Sequence, residues 1–412
     1  MAGTSPAMTE LDPNRPQCMM RDPREPKMNV QNSKDILSAL VGFDTVSRNS
    51  NLELIAWVEQ YLDKLNVKHQ RIYDETGKKS NLWATLGPKD VPGYILSGHT
   101  DVVPVDDQNW TDSPFKLTER EGKLYGRGST DMKGYVACCL AAVPDMLKAN
   151  LKKPLHLAFS YDEEVGCWGV RRMIPKIVEG AAKPIACFVG EPTEMDVVIG
   201  HKGKRSFKVT VRGRTCHSSL APLGVNAVEY AARVIAKIRD ISDRLAKSGA
   251  RDDLYDVPFS TGHTGYLHGG TALNIVPDVA TFEFEFRVLS VDKSDTLAKE
   301  VIDYAKTVLE PEMKAVAPES GFEFEDRSEF AGLDTAPDAE VTLFAKHLSG
   351  RNRHSKVAYG TEGGLFALAG IPTVVCGPGS IDQAHKADEF IAVSELEKCG
   401  KFLDRLIEHC AR

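Results

Sequence analysis

From Ser33 onward apolar side chains recur every three or four positions, Ile36, Leu37, Leu40 and Val41 on one stretch and Ile55, Val58, Leu62 and Leu65 on the next. That spacing gathers each set on one face of an α-helix. Short apolar runs follow at 81–87 (NLWATLG) and 94–98 (YILSG), read as strands, and then a helix from about Lys133 to Ala149. LHLAFSY (155–161) and IACFVG (185–190) read as buried strands on either side of a helix within 167–179. Strands alternating with helices of this length predict an α/β fold, a mixed, mostly parallel sheet with helices on both faces.

The rhythm then changes. RSFKVTVRG (205–213) alternates, and TFEFEFRV (281–288) alternates strictly, with Phe282, Phe284 and Phe286 on one face. Between them NAVEYAARVIAKIRDISDRLAK (226–247) is a long amphipathic helix, and a further helix over about 292–309 is expected to end before Pro311. Period-2 strands with intervening helices describe a smaller α+β domain whose sheet has one wet face. Apolar segments resume afterwards, IPTVVCG (371–377) being the clearest strand. The expected division is a main domain of residues 29–203 plus 316–412, with an inserted lid at 204–315. Residues 1–28, proline-rich and without periodicity, read as a disordered extension. An exposed edge of the lid sheet together with the long lid helix suits a homodimer formed lid to lid.

Composition narrows the function. A chain of 412 residues exceeds what one hydrophobic core usually organises, in line with two domains. The formal net charge is −7, and the basic residues are scattered, so the footprint of a nucleic-acid binder is missing. No apolar stretch approaches the roughly 18 to 20 residues of a membrane span, and the start lacks the basic-then-apolar order of a secretion signal. A cytoplasmic protein is expected. Nine scattered cysteines fit reduced thiols. No pair of them has zinc-ligand spacing, so any metal must be held by His and carboxylates.

Such residues cluster at the strand ends, where α/β sheets bind ligands. His99 and Asp101 follow the 94–98 run, and Glu163 and Glu164 follow LHLAFSY. Glu191 follows IACFVG, Asp131 sits in the glycine-rich YGRGSTDMKG, and His385 comes after the late strand in DQAHKADEF. Alone, each fits an ordinary hydrogen-bonded His or a solvated acid. Acids set directly after an apolar strand are costly unless a cation meets them. The glycine-rich segment lacks the Gly-Lys-Ser/Thr ending of a phosphate loop, so its glycines more plausibly aim Asp131 into a site.

SGHTDVVP, GRGSTDMKG, YDEEVG, GEPT, CHSS and AHKADEF, in this order, resemble the co-catalytic zinc amidohydrolases, a family that includes acetylornithine deacetylases, succinyl-diaminopimelate desuccinylases, aminoacylases and glutamate carboxypeptidases. GHKGKRSF, HSSLAPLGVNAVE and GTEGGLF are most similar to the acetylornithine deacetylase branch. The resemblance implies two Zn²⁺ ions, replaceable by Co²⁺ or Mn²⁺, with His99 and Glu191 on one, Glu164 and His385 on the other, and Asp131 bridging. It implies Glu163 as general base and Asp101 as the acid bonded to the other nitrogen of His99. His217, in the lid, would donate to the tetrahedral oxyanion, from its own chain or a second subunit. Arg287 and Asn274 would contact substrate, Arg287 through the α-carboxylate, although the alternation of FEFEFRV equally places Arg287 on a solvated face. Glu362 would pair with a substrate δ-ammonium, or else is simply an acid at a helix N-terminus.

The expected partner is a small-molecule N-acyl amino acid, with neither nucleic acid nor membrane. The expected reaction is hydrolysis of N2-acetyl-L-ornithine to ornithine and acetate, a step of arginine biosynthesis. A desuccinylase or broader aminoacylase is the alternative within the class. A metal-binding but inactive relative would lack a base or a ligand, and this sequence has them all.

Overall fold

The computed structural model describes residues 29–180 and 182–412. The extension expected over residues 1–28 lies outside the described residues.

The large sheet has nine strands. Along its main path the order is His69–Tyr73, Ser80–Leu86, Leu155–Ser160, Tyr94–His99, Ala186–Pro192, Thr373–Gly377, Val197–His201 and Leu333–Asp334, and His354–Val357 pairs beside Val197–His201. The four central strands, from Leu155–Ser160 to Thr373–Gly377, run parallel, whereas pairing toward both edges is largely antiparallel. Tyr94–His99, Leu155–Ser160 and Ala186–Pro192 are buried along their whole lengths. That is why they read as continuous apolar runs rather than alternating ones.

Helices Val30–Val41, Leu52–Lys64, Lys133–Lys148, Glu340–Ser349 and Val393–Ala411 cover one face, through a core that includes Leu37, Leu96, Phe188 and Phe402. Helices Trp168–Val178 and Gly363–Leu368 cover the other, over Ile95, Val189 and Phe366. Parallel strands covered on both faces leave their carboxyl ends as the natural place for chemistry.

The smaller sheet is antiparallel, in the order Thr261–Gly269, Val279–Val288, Gly203–Arg212, Gly321–Phe330. Phe282, Phe284 and Phe286 face helices Ala227–Ser248 and Ser294–Tyr304, and each buried ring contributes about 1.5–3 kcal/mol. Asn226 caps the long helix, its Oδ1 accepting the N–H of Val228 at 3.1 Å and of Glu229 at 3.2 Å, an arrangement that contributes about 1 kcal/mol.

Two expectations need correction. The lid boundary at 315 falls too early, because Gly321–Phe330 pairs with Gly203–Arg212 in register from Gly321↔Arg212 to Phe330↔Lys204. Residues 321–324, GFEF, hold the signal, since Phe322 alternates with a polar neighbour and is buried in the lid core. The last lid helix does not stop before Pro311 either. A π-type turn over Ala305–Leu309 leads into Glu310–Val316, with Pro311 in its first turn, where a missing N–H costs nothing.

Candidate metal centre

Strand Tyr94–His99 ends at His99, which is 1% exposed. Its Nδ1 lies 2.9 Å from the Asp101 carbonyl oxygen. An N–H···O=C bond on Nδ1 leaves Nε2 free to ligate. Nε2 faces Asp131 Oδ1 at 3.1 Å and Glu191 Oε1 at 3.8 Å. On the other oxygen of Asp131, Oδ2, His385 Nε2 approaches to 3.2 Å and also lies 3.2 Å from Glu164 Oε2. Two trios, His99–Asp131–Glu191 and Asp131–Glu164–His385, thus share one aspartate, the ligand atoms of each lying within 4.8 Å of one another. The first trio is buried; the second opens to solvent on the His385 side, whose ring is 51% exposed.

Each side chain is placed by a different element. Glu191 sits on Ala186–Pro192 beside Gly190, where a Cβ would stand 2.1 Å from the Tyr135 ring. Only glycine lets Tyr135 pack beneath this part of the site. Asp131 ends the loop that leads into helix Lys133–Lys148, and the loop is gathered by Glu389. Glu389 accepts N–H groups from Gly128, Thr130 and Asp131 at 2.9–3.1 Å and pairs with buried Arg127 at 2.8 Å.

Glu163 and Glu164 lie in a turn after Leu155–Ser160, entered through Asp162 at φ 53°. The Asp101 carboxylate anchors this turn, accepting the Glu163 N–H at 3.1 Å, the Glu164 N–H at 3.3 Å and the Ser47 hydroxyl at 2.7 Å. Cys167 Sγ donates to Glu163 Oε1 at 3.4 Å.

The electrostatics are those of an anionic nest. Burial, followed by the neighbouring acids, raises the carboxyl groups of Glu163 and Glu191 well above the usual range. The same causes, burial and then Asp131, push Glu164 up to about 7. Burial disfavours the charged form of His99, yet Asp131 and Glu191 outweigh it and raise its pKa. Hydrogen bonds to Asp131 and Glu164 push His385 up to about 10. Glu164 Oε1 is buried without a hydrogen-bond partner among the described residues. An orphaned carboxylate oxygen, two imidazole nitrogens facing acids, and no cysteine in either set together fit two divalent cations of the zinc type.

Several expected site residues stand elsewhere. Asp101 meets His99 through its backbone carbonyl, while its nearest carboxylate oxygen is 3.7 Å from Nδ1. The carboxylate is committed to the Glu163–Glu164 turn instead. Glu362 is not beside an open pocket: it is 1% exposed, with its oxygens accepting the hydroxyls of Ser97 at 3.1 Å and of Ser160. Burial pushes it up to about 7, and the two serines occupy the oxygens expected to meet a δ-ammonium. Arg287 lies on the wet face of its strand and forks onto Glu285 of the same strand, at 2.9 and 3.3 Å. That leaves the carboxylate reading of Arg287 dependent on exchanging Glu285 for substrate. His217 and Asn274 are exposed neighbours on the lid, joined by the Ser218 N–H bonded to the Asn274 carbonyl at 3.0 Å and a bridge between His217 and Ile275. The bonds of the His217 ring are local, to Ser219.

Glu389, Arg127, Ser47 and Cys167 went unnoticed in the sequence. The signal for Glu389 stood in AHKADEF, four residues beyond His385, but nothing in that spacing marks an acid aimed at backbone far upstream.

A mixed sheet whose central strand ends present two histidine–carboxylate trios around a shared aspartate is the plan of a metal-dependent hydrolase. Residues 95–409 match the model of peptidase family M20/M25/M40, and the chain belongs to that family. It is therefore a hydrolase acting on amide bonds. Among curated relatives it is 33% identical over 371 residues to an acetylornithine deacetylase of Proteus mirabilis, covering 89% of this chain and 92% of that protein. It is likewise 33% identical over 383 residues to an acetylornithine deacetylase of Myxococcus xanthus, covering 90% and 96%. Similar solved structures include a tripeptidase from Staphylococcus aureus, with TM-score 0.73, 20% identity, 93% of this chain and 99% of that one. An M20 metallo-carboxypeptidase from Sulfolobus solfataricus gives TM-score 0.72 and 19% identity, covering 92% and 99%.

Proposed function

We propose that this enzyme hydrolyses the acyl amide of a small N-acyl amino acid, with N2-acetyl-L-ornithine as preferred substrate and ornithine and acetate as products. The observation that carries the reading is the pair of trios with Glu163 held beside them on the turn that also supplies Glu164. The substrate rests on the 33% identity, over nearly the whole chain, to proteins named acetylornithine deacetylase.

His99, Asp131 and Glu191 would hold one Zn²⁺ and Asp131, Glu164 and His385 a second, with Co²⁺ or Mn²⁺ able to replace them. When bound, such ions polarise a carbonyl and make water a stronger acid. The chain's own part is proton management. The Glu163 carboxylate takes the proton of the attacking water and delivers it to the departing amine nitrogen. Asp101 and Cys167 fix where that carboxylate stands. We assign His217, carried by the exposed lid loop, to the carbonyl oxygen as charge develops there, supplied on lid closure or by a second subunit in a lid-to-lid homodimer. Asn274, its lid neighbour, and Arg287, once it leaves Glu285, would hold the substrate's amino-acid end.

The eight described cysteines are free, which suits a reducing compartment and our assignment to the cytoplasm. The deciding experiment compares kcat/KM for N2-acetyl-L-ornithine and N-succinyl-diaminopimelate on zinc-loaded enzyme. A tenfold preference for the succinyl compound would overturn the substrate reading while leaving the hydrolase intact.

A further inference from the structure

At the amino end of the central strands, opposite the carboxyl ends that carry the metal centre, a cavity of ≈ 500 Å³ opens between the edge strand His69–Tyr73 and the last turn of helix Trp168–Val178. Its size falls in the range of small-molecule sites, about 300–1,000 Å³. Trp83 and His156 line it as a stacked pair, ring centroids 4.8 Å apart and planes 16° from parallel. They belong to neighbouring antiparallel strands, where Thr85 is directly opposite His156.

Thr85 Oγ1 lies 3.0 Å from His156 Nδ1, which leaves Nε2 of this largely buried ring to the cavity. Burial lowers the His156 pKa to about 4, so at neutral pH the aromatic floor carries no charge. Around the rim stand Lys68, Lys89 and Lys176, all exposed. None of the three has an ion pair among the described residues, and no Asp or Glu lines the cavity. Glu59 and Asp63 are turned to His69 and Arg71, and the exposed Asp90 and Glu179, beside Lys89 and Gly180 in the chain, do not line the cavity.

Three unanswered ammonium groups above a flat, neutral aromatic floor are complementary to one kind of ligand. A planar ring fills the slot against Trp83 and its acid group meets the lysines. We propose that this cavity is a second binding site, separate from the metal centre, for a planar aromatic carboxylate of one or two fused rings.

The test is calorimetric titration of the zinc-loaded full chain with 2-naphthoate and with its neutral counterpart 2-naphthalenemethanol. The expected result is one site per chain, at least tenfold tighter for the carboxylate and unaffected by saturating acetate, the product that the proposed function assigns to the metal centre. The variant K89E/K176E changes only exposed side chains and is expected to weaken 2-naphthoate at least tenfold, with kcat and Tm unchanged. Equal affinity for the alcohol, undiminished binding to the variant, displacement by acetate, or no binding at all would each overturn the proposal. None of these outcomes bears on which amide the enzyme cleaves.

Discussion

Glu389 holds the backbone of Asp131, its Oε1 accepting the Asp131 N–H at 3.1 Å while Oε2 pairs with the Arg127 guanidinium at 2.8 Å. Both side chains of the ion pair are 1% exposed. Breaking such a buried pair from one side costs about 3–5 kcal/mol, and partners that orient metal ligands typically carry 10–100-fold in affinity. Glu389→Gln should therefore lower stability in urea unfolding and weaken zinc binding about 10-fold or more. A variant that unfolds earlier yet binds zinc as the wild type does would confine Glu389 to scaffolding.

Asp101 and His99, two residues apart, should fail differently. Asp101→Ala removes the acceptor of the Glu163 and Glu164 N–H groups. The expected outcome is a lower kcat and preferential loss of metal from the trio containing Glu164. His99→Ala should empty the other trio. Anomalous scattering from zinc in crystals of each variant separates the two, and loss from the same trio in both would contradict the assigned geometry.

Glu163→Gln should retain both metal equivalents and lose about 10²–10⁴-fold in kcat, the usual contribution of a positioned acid–base group. If zinc is lost instead and activity follows its re-addition, Glu163 is a ligand. Glu362→Gln is expected to change kcat/KM for cationic and neutral N-acetyl amino acids by the same factor, since both Glu362 oxygens accept serine hydroxyls. A selective loss on acetylornithine would restore Glu362 to the substrate.

The central strands and their charged ends were legible because a fully buried parallel strand has no polar residue to spare, so His99, Glu163, Glu164 and Glu191 stand out against apolar runs. Two kinds of feature were not. Edge strands such as His69–Tyr73 and Thr261–Gly269 are half exposed and carry little apolar pattern. Contacts made by carboxylates to distant backbone, as by Asp101 and Glu389, leave no periodicity at all. Asp101 shows the difference well: a spacing of two put it near His99, but the turn gave the carbonyl to the ring and the carboxylate to another loop.

Metal binding should tighten with rising pH. His385, with its pKa pushed up to about 10, and Glu164, at about 7, must both shed protons to ligate. The raised His385 pKa stabilises the metal-free fold fully below about 6.5, the unfolded value, and that contribution is lost as pH rises through about 10. Apparent zinc affinity should thus increase from pH 6 to 8 with net proton release, read by calorimetry in buffers of different ionisation enthalpy. Affinity independent of pH would mean that both groups are already deprotonated.

Acid lability has a separate origin. Buried His156 and His201 are each lowered to about 4. Groups with depressed pKa stabilise the fold above about 6.5 and lose that contribution as pH falls toward 4, by as much as about 3 kcal/mol each. Urea midpoints should fall over that window, and His156→Gln should flatten part of the fall. A slope identical to the wild type would remove His156 from the effect.

The trio Asp131–Glu164–His385 draws two members from chain that precedes the inserted sheet and one from chain that follows it. On the ribosome, a nascent polypeptide that has emerged only through the small sheet already displays His99, Asp131, Glu164 and Glu191, but still lacks the imidazole that closes the second set. Loading of the second proposed cation would then be tied to completion of translation, and a stalled or prematurely released product would present an acidic half-centre rather than a complete site.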